Sequence, residues 1–278
     1  MIPIIAHIYG PIFINSYGLA IALSLLLFSW LFLRHPKRSA IISTEHFYNL
    51  ITICVLAGII GARILYILSI DQALSIREML SIHEGGLSFL GGLIAILLVV
   101  PLYLRSIKVT LLPLLDLAAL YAPLIYTGSR IGCFMAGCCY GITCSSWYSI
   151  VYTHPASHAP LFIPLLPTQL ISAFSGILIF LVLQYLSTKK IVKIPGIMLG
   201  SYLLLTSLER FIIDFWRADR LLIYPDHTWQ QKNLIPVLSV DQWIALSTGL
   251  LAVVFLIFIK NYKNKNVLDR KKTHNEHI

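Results

Sequence analysis

Long apolar runs separated by short polar or basic stretches fill this chain. They fall at 12–33, 48–70, 88–105, 110–127, 168–187, 196–216 and 237–260. Each run holds about 18–24 residues, and a helix of about 20 residues crosses a hydrocarbon core of about 30 Å. Helices are the expected element, because backbone inside hydrocarbon must satisfy its own hydrogen bonds. Pro113 and Pro123 interrupt the fourth run, which makes it the most irregular of the set. The pattern predicts an all-α integral membrane protein with about seven transmembrane helices. No lysine or arginine precedes the first run and no small-residue cleavage site follows it, so the first helix is expected to persist in the mature protein.

Composition strengthens this picture. Of 278 residues, 58% are hydrophobic and 12% charged. The mean hydropathy is +0.81, whereas a soluble domain carries about 25% charged residues. Lys and Arg number 21 against 12 Asp and Glu, a net charge of +9. That basicity is distributed unevenly. Arg34, Lys37, Arg38, Arg105, Lys108, Lys189, Lys190, Lys193 and the six basic residues from Lys260 to Lys272 follow the odd-numbered runs, fourteen in all. The other flanking segments carry five: Arg77, Arg130, Arg217, Arg220 and Lys232. Positive flanks stay in the cytoplasm, which predicts an outer N-terminus and a cytoplasmic C-terminus. Residues 1–262 then form a polytopic membrane domain, with an outer cap at about 142–167, and 263–278 a basic cytoplasmic tail. Membrane lipids and topology account for the positive charge, so no nucleic-acid partner is expected.

The odd polar residues gather on one side of that topology. Asn15-Ser-Tyr17-Gly18 opens the first run, and Gly61-Ala-Arg63 lies in the outer half of the second. The stretch His83–Gly92 enters the third, with Gly85, Gly86, Gly91 and Gly92 as two doublets. Gly128-Ser-Arg130 through Gly141 leaves the fourth to the outside. Arg210, Asp214 and Arg217 end the sixth at spacing i, i+4, i+7, which places them on one helical face. Asp214 can pair with either arginine. A charged residue at a helix centre costs about 2.5–3.5 kcal/mol, so these arginines need a partner or a task. With Arg63 and Arg130 at the same depth, acids are too few for all of them. The surplus favours an anion, and the guanidinium fork suits phosphate. The glycine doublets have two readings, a backbone that wraps a headgroup and tight helix packing. Cys133, Cys138, Cys139 and Cys144 are expected to face outward. The first three lack the CxxC spacing of common zinc sites, so no metal is expected, and a disulfide stays open in an oxidising compartment.

These residues together resemble the bacterial prolipoprotein diacylglyceryl transferases along nearly the whole chain. Ser16-Tyr17-Gly18-Leu19 is similar to the family's opening motif, and Gly61-Ala-Arg63 to its second-span Gly-x-Arg. Gly85–Gly92 resembles the paired-glycine segment, and Gly128–Gly141 the family signature. Pro167-Thr-Gln-Leu170 resembles the start of the fifth helix. Arg210-Phe-Ile-Ile-Asp214-Phe-Trp-Arg217 resembles the late R-x-x-x-E-x-x-R helix, with Asp for Glu, and Asp241-Gln242 the polar pair opening the last helix. Several positions depart. Leu90 stands where the family has histidine, Cys133 for the signature asparagine, and Cys138 for its glutamate. After Gln-Leu the family's tyrosine-glutamate is Ile171-Ser172.

The resemblance implies transfer of diacylglyceryl from phosphatidylglycerol to the lipobox cysteine of a prolipoprotein signal peptide, at the inner membrane and without a cofactor. It casts Arg130, Arg210, Tyr17 and Asp214 as catalytic. Arg63, Gly85, Gly86, Gly91, Gly92, Gly141, Arg217 and Gln242 become substrate-binding. Leu90 leaves the thiol's proton acceptor unassigned. Two other classes stay open on the residues alone: a lipid or small-anion transporter using the same arginines, and a membrane thiol oxidoreductase using Cys133, Cys138 and Cys139.

Overall fold

A computed structural model describes residues 3–9, 12–70, 88–189, 194–220 and 238–275. Gly85, Gly86, Arg77, His83 and Lys232 lie outside them. Among the described residues the elements run β1 (Ile4–Tyr9), β2 (Ile12–Asn15), α1 (Ser16–Arg34), α2 (Thr44–Leu68), α3 (Phe89–Ser106) and α4 (Leu111–Ala136). They continue with β3 (Ile150–Val151), β4 (Pro164–Leu165), α5 (Thr168–Ser187), α6 (Ile197–Ile213) and α7 (Val240–Asn275). Among the described residues, five helices are long and apolar enough to cross a membrane: α1, α2, α4, α5 and the Val240–Tyr262 part of α7. Leu90–Ser106 is a shorter apolar helix, and α6 has 17 residues. The protein is thus a mostly helical membrane protein with small strands at its connections.

The chain divides into two compact units. One comprises Tyr9–Ile12 and Leu33–Leu114; the other comprises Met1–Ile8, Phe13–Phe32 and Leu115–Ile278. In the smaller unit, α2 is capped by Ser43, whose side chain accepts from the His46 amide at 3.1 Å. Helices α2 and α3 meet through glycine. A Cβ on Gly91 would collide with the Gly61 carbonyl, and one on Gly92 would lie 2.9 Å from the Gly58 carbonyl. Gly91 and Gly92 are therefore consumed by helix packing, the second of the two readings drawn from the sequence.

In the larger unit, α4 is the central element, and it differs from its predicted span of 110–127. It runs on to Ala136, carrying Arg130 and Cys133 on its last turns. The glycines that look like helix breakers are a packing face. A Cβ on Gly128 would fall on Ser24 Oγ, and one on Gly132 would lie 3.1 Å from Tyr17 Cδ2. Small residues four apart let α1 and α4 approach closely, as in other membrane helices. The helix stops at Gly137, whose φ of +80° suits glycine. The amides of Gly137 and Cys138 both return to the Cys133 carbonyl, at 2.9 and 3.1 Å. Near the other end of α4, Asp116 accepts from the amides of Gly196 at 2.6 Å and Leu199 at 2.8 Å, fixing the start of α6.

Residues 142–167 hold a small two-stranded pairing. Strand β3 pairs antiparallel with β4, Ile150 opposite Leu165 and Val151 opposite Pro164. Tyr152, Ala159 and Leu165 make its core. The C-terminal segment predicted as a tail continues α7 as helix to Asn275.

Candidate active site

The signature turn after α4 is held almost entirely through its main chain. The Gly141 amide donates to the Leu166 carbonyl at 3.0 Å, and the Ile142 amide to the Trp216 carbonyl at 2.9 Å. The Ala218 amide donates to the Tyr140 carbonyl at 3.1 Å. Gly141 and Arg217 thereby form an antiparallel bridge. A Cβ at Gly141 would lie 2.6 Å from the Leu166 carbonyl, so the close approach requires glycine. The start of α5 grips the same turn. Thr168 Oγ1 donates to the Cys139 carbonyl and Gln169 Nε2 to the Cys138 carbonyl, both at 2.8 Å. Gln169 Nε2 also donates to Tyr152 Oη at 3.2 Å, and that hydroxyl donates to the Phe134 carbonyl at 3.1 Å. Burial pushes the Tyr152 phenol up to about 12, so it stays a neutral donor.

Arg130 projects from the last turns of α4 beside this turn. Its guanidinium stacks over the Tyr126 ring at 4.9 Å, and Nε is buried without a hydrogen-bond partner among the described residues. No carboxylate of the described residues forms an ion pair with it. Tyr126 is itself oriented by Glu209 of α6, to which its hydroxyl donates at 2.6 Å. Tyr126 and Glu209 were not among the residues singled out in the sequence. They lie far apart along the chain, and the apolar residues around Tyr126 give no sign of the pairing.

The other arginines are better neutralised than the sequence suggested. Helix α6 ends at Ile213, and Asp214–Trp216 is a 3-10 turn, so Arg210, Asp214 and Arg217 do not share one α-helical face. Arg210 pairs with Asp241 on α7 at 2.6 Å, not with Asp214. Arg217 is almost buried and meets three carboxylates: Asp219 through two bonds of 2.9 Å, Asp241 at 3.3 Å and Asp214 at 3.6 Å. Burial works against its charge, but the paired Asp219 lifts its pKa above the usual guanidinium value. Asp214 is fully buried. It accepts from Ser239 Oγ and faces Arg217 and Arg220. Gln242 is equally buried, with Oε1 accepting from Arg220 Nη2 at 2.8 Å and from the Ser239 amide at 3.0 Å. Its own amide donates to Ser239 Oγ at 3.1 Å. Ser239-Val-Asp-Gln242 is thus a reciprocal capping box starting α7, a signal present in the sequence but not read there.

Tyr17 is 40% exposed on the first turn of α1. It lines a cavity of about 420 Å³ with Asn15, Ala136, Cys138 and His158. Beside that cavity the Sγ atoms of Cys133, Cys138 and Cys139 all lie within 4.8 Å of one another, as free thiols. Hydrogen bonds from Cys133 and Cys138 draw the Cys139 thiol well below the ordinary range, with Arg217 and Arg130 adding to the effect. Its neighbour Cys138 is pushed up, chiefly by the same contacts. Adjacent thiols share one ionisation in this way. Arg63, Gly91 and Gly92 belong to the smaller unit, where the Arg63 guanidinium lies 5.4 Å from the Tyr66 ring.

Taken together, the larger unit offers, among the described residues, a guanidinium with no carboxylate partner, a second one paired with one acid, and a cavity lined by Tyr17 and Cys138. This arrangement can bind a phosphate and stabilise charge that grows on it. Comparison with known proteins points the same way. Residues 3–258 match the family model for prolipoprotein diacylglyceryl transferase. The chain is 29% identical over 263 residues to the phosphatidylglycerol–prolipoprotein diacylglyceryl transferase of Clostridium tetani, covering 94% of this chain and 97% of that one. It is 30% identical over 267 residues to the enzyme of that name from Idiomarina loihiensis, covering 93% of each. A second such transferase from Clostridium perfringens is 30% identical over 245 residues, covering 86% of this chain and 90% of the relative.

Proposed function

The chain belongs to the prolipoprotein diacylglyceryl transferase family, and we infer that it moves a diacylglyceryl group from phosphatidylglycerol to a prolipoprotein. The acceptor is the lipobox cysteine thiol of the signal peptide. The sulfur forms a new bond to the glyceryl carbon as that carbon's bond to phosphate oxygen breaks. The phosphate oxygen keeps the electron pair and leaves as glycerol phosphate, and the thiol's proton is released. Charge grows on the leaving phosphate, so fixed cations in a poorly solvated place lower the barrier.

Arg130 is the residue we assign to that phosphate. The observation that carries the assignment is its buried Nε, which has no hydrogen-bond partner among the described residues while the ring of Tyr126 holds the guanidinium plane. A buried charged donor without a partner is costly unless a ligand completes it. Arg210 is the second candidate, since Asp241 occupies one edge of its fork. Tyr17 serves from the cavity that it lines with Cys138. Asp214, Arg217, Gly141 and Gln242 act mainly by shaping this end of the molecule, because their polar groups are already engaged.

The charge asymmetry of the flanking segments supports an outer N-terminus and a cytoplasmic C-terminus, the seven apolar runs support seven spans, and the family supports residence in the inner membrane. The deciding experiment supplies purified protein with labelled phosphatidylglycerol and a lipobox peptide. The expected result is a thioether-linked lipid on the peptide cysteine and one glycerol phosphate released per transfer. Lipid bound without either product would favour a transporter.

A further inference from the structure

The cysteine trio is not required by the transfer reaction, in which the acceptor thiol comes from the substrate. We propose that Cys133, Cys138 and Cys139 form a three-sulfur site for a soft, thiophilic metal ion of the copper(I) type. The spacing in sequence argued against a metal, and the folded turn changes that. Cys133 sits on the last turns of α4, and the chain reverses at Gly137, with φ +80°, then at Cys139, with φ +57°. A non-glycine residue in the left-handed region is uncommon. Here it folds the Cys138-Cys139 pair back toward Cys133, and the three Sγ atoms come within 4.8 Å of one another.

Three thiolates about 2.3 Å from a central metal stand roughly 4.0 Å apart. Small side-chain rotations reach that separation from the observed one. The backbone beneath needs no rearrangement, because Gln169 and Thr168 already clamp the carbonyls of Cys138 and Cys139. A site on so fixed a frame is preorganised. Among the described residues no histidine or carboxylate joins the group. A closed structural zinc site takes four ligands, whereas thiolate-only sets of low coordination select copper(I). Cys138 also lines the cavity of about 420 Å³, which gives an ion a route in.

The test uses the full chain, purified in detergent under reducing conditions and titrated with copper(I) against a chromophoric copper(I) chelator. The expected result is one copper(I) per chain held against the chelator. Cys138→Ser and Cys139→Ser should each weaken retention at least about 100-fold, while Cys54→Ser and Cys144→Ser leave it unchanged. X-ray absorption of the loaded protein should show three sulfur neighbours. The proposal is overturned if the reduced protein retains no copper(I), if both turn variants retain it as the wild type does, or if equimolar zinc(II) displaces it. Recovery of wild-type copper retention in a variant lacking all three cysteines would place the ion elsewhere and likewise overturn it. Folding of each serine variant is checked by its transfer activity, so lost retention in an active protein is a loss of ligands.

Discussion

Gly141 and Arg217 pair backbone to backbone, tying the end of the signature turn to the segment that follows α6. Arg130 and Arg210 thus sit on elements joined by main-chain hydrogen bonds, and their separation does not depend on any one flexible side chain. The first prediction concerns Arg130. Arg130→Ala should lower transfer about 10²–10³-fold, the usual cost of losing one preorganised donor to a developing charge. Arg130→Lys should also be poor, since a point charge lacks the planar fork. Full activity in the alanine variant, with labelled phosphatidylglycerol, would remove Arg130 from the mechanism.

Tyr126 allows the support of that arginine to be dissected. Tyr126→Leu removes the aromatic face, worth about 0.5–2 kcal/mol, and should slow transfer about 2–30-fold. Tyr126→Phe keeps the face but loses the bond to Glu209, and its loss should be smaller. A phenylalanine variant as slow as the leucine one would mean that the hydroxyl, not the ring, matters.

Arg210 and Asp241 should behave differently from one another. Arg210→Ala should abolish measurable transfer. Asp241→Asn leaves both Arg210 and Arg217 in place but weakens their common acceptor. It should raise KM for phosphatidylglycerol or lower kcat several-fold without emptying the membrane of protein. Equal, complete losses for both variants with normal expression would show that the pair works as one unit.

Gly128 tests the helix crossing. Gly128→Ala drives a methyl onto Ser24 Oγ, and such overpacking costs about 1–3 kcal/mol. The variant should have a lower melting temperature in detergent. Adding Ser24→Gly removes the obstructing side chain and should restore much of the loss. No rescue in the double variant would relocate the strain.

Cys133→Ser and Cys138→Ser should retain turnover in the folded fraction, because the acceptor thiol belongs to the substrate. Loss of all activity in a well-folded serine variant, or a lipid adduct on either cysteine, would point to covalent catalysis by the enzyme's own thiol.

Much of the helical layout was legible in the runs of apolar residues, because few other elements survive in hydrocarbon. The end of α4 was not. Gly128 and Gly132 look like breakers by their soluble-protein propensity, but within a membrane helix they are the surface that α1 packs on. Arg130 was legible as a charge in an apolar setting. Its surroundings were not, because Tyr126 meets Glu209 and Arg210 meets Asp241 only after distant helices pack. Asp219 and Asp241 complete the charge balance, and they explain why Arg217 is committed to carboxylates. The spacing of Arg210, Asp214 and Arg217 promised a single face, but the chain tightens into a 3-10 turn at Asp214.

The signature turn is grasped by its amides and carbonyls, groups that almost every residue carries. Its path is therefore written in atoms that substitution leaves alone, while the side chains it displays are free to be exchanged. Thiols can stand on this turn, and Thr168, Gln169, Leu166 and Trp216 still have the same atoms to hold. Such a loop is a socket in which evolution can swap chemistry without redrawing the scaffold.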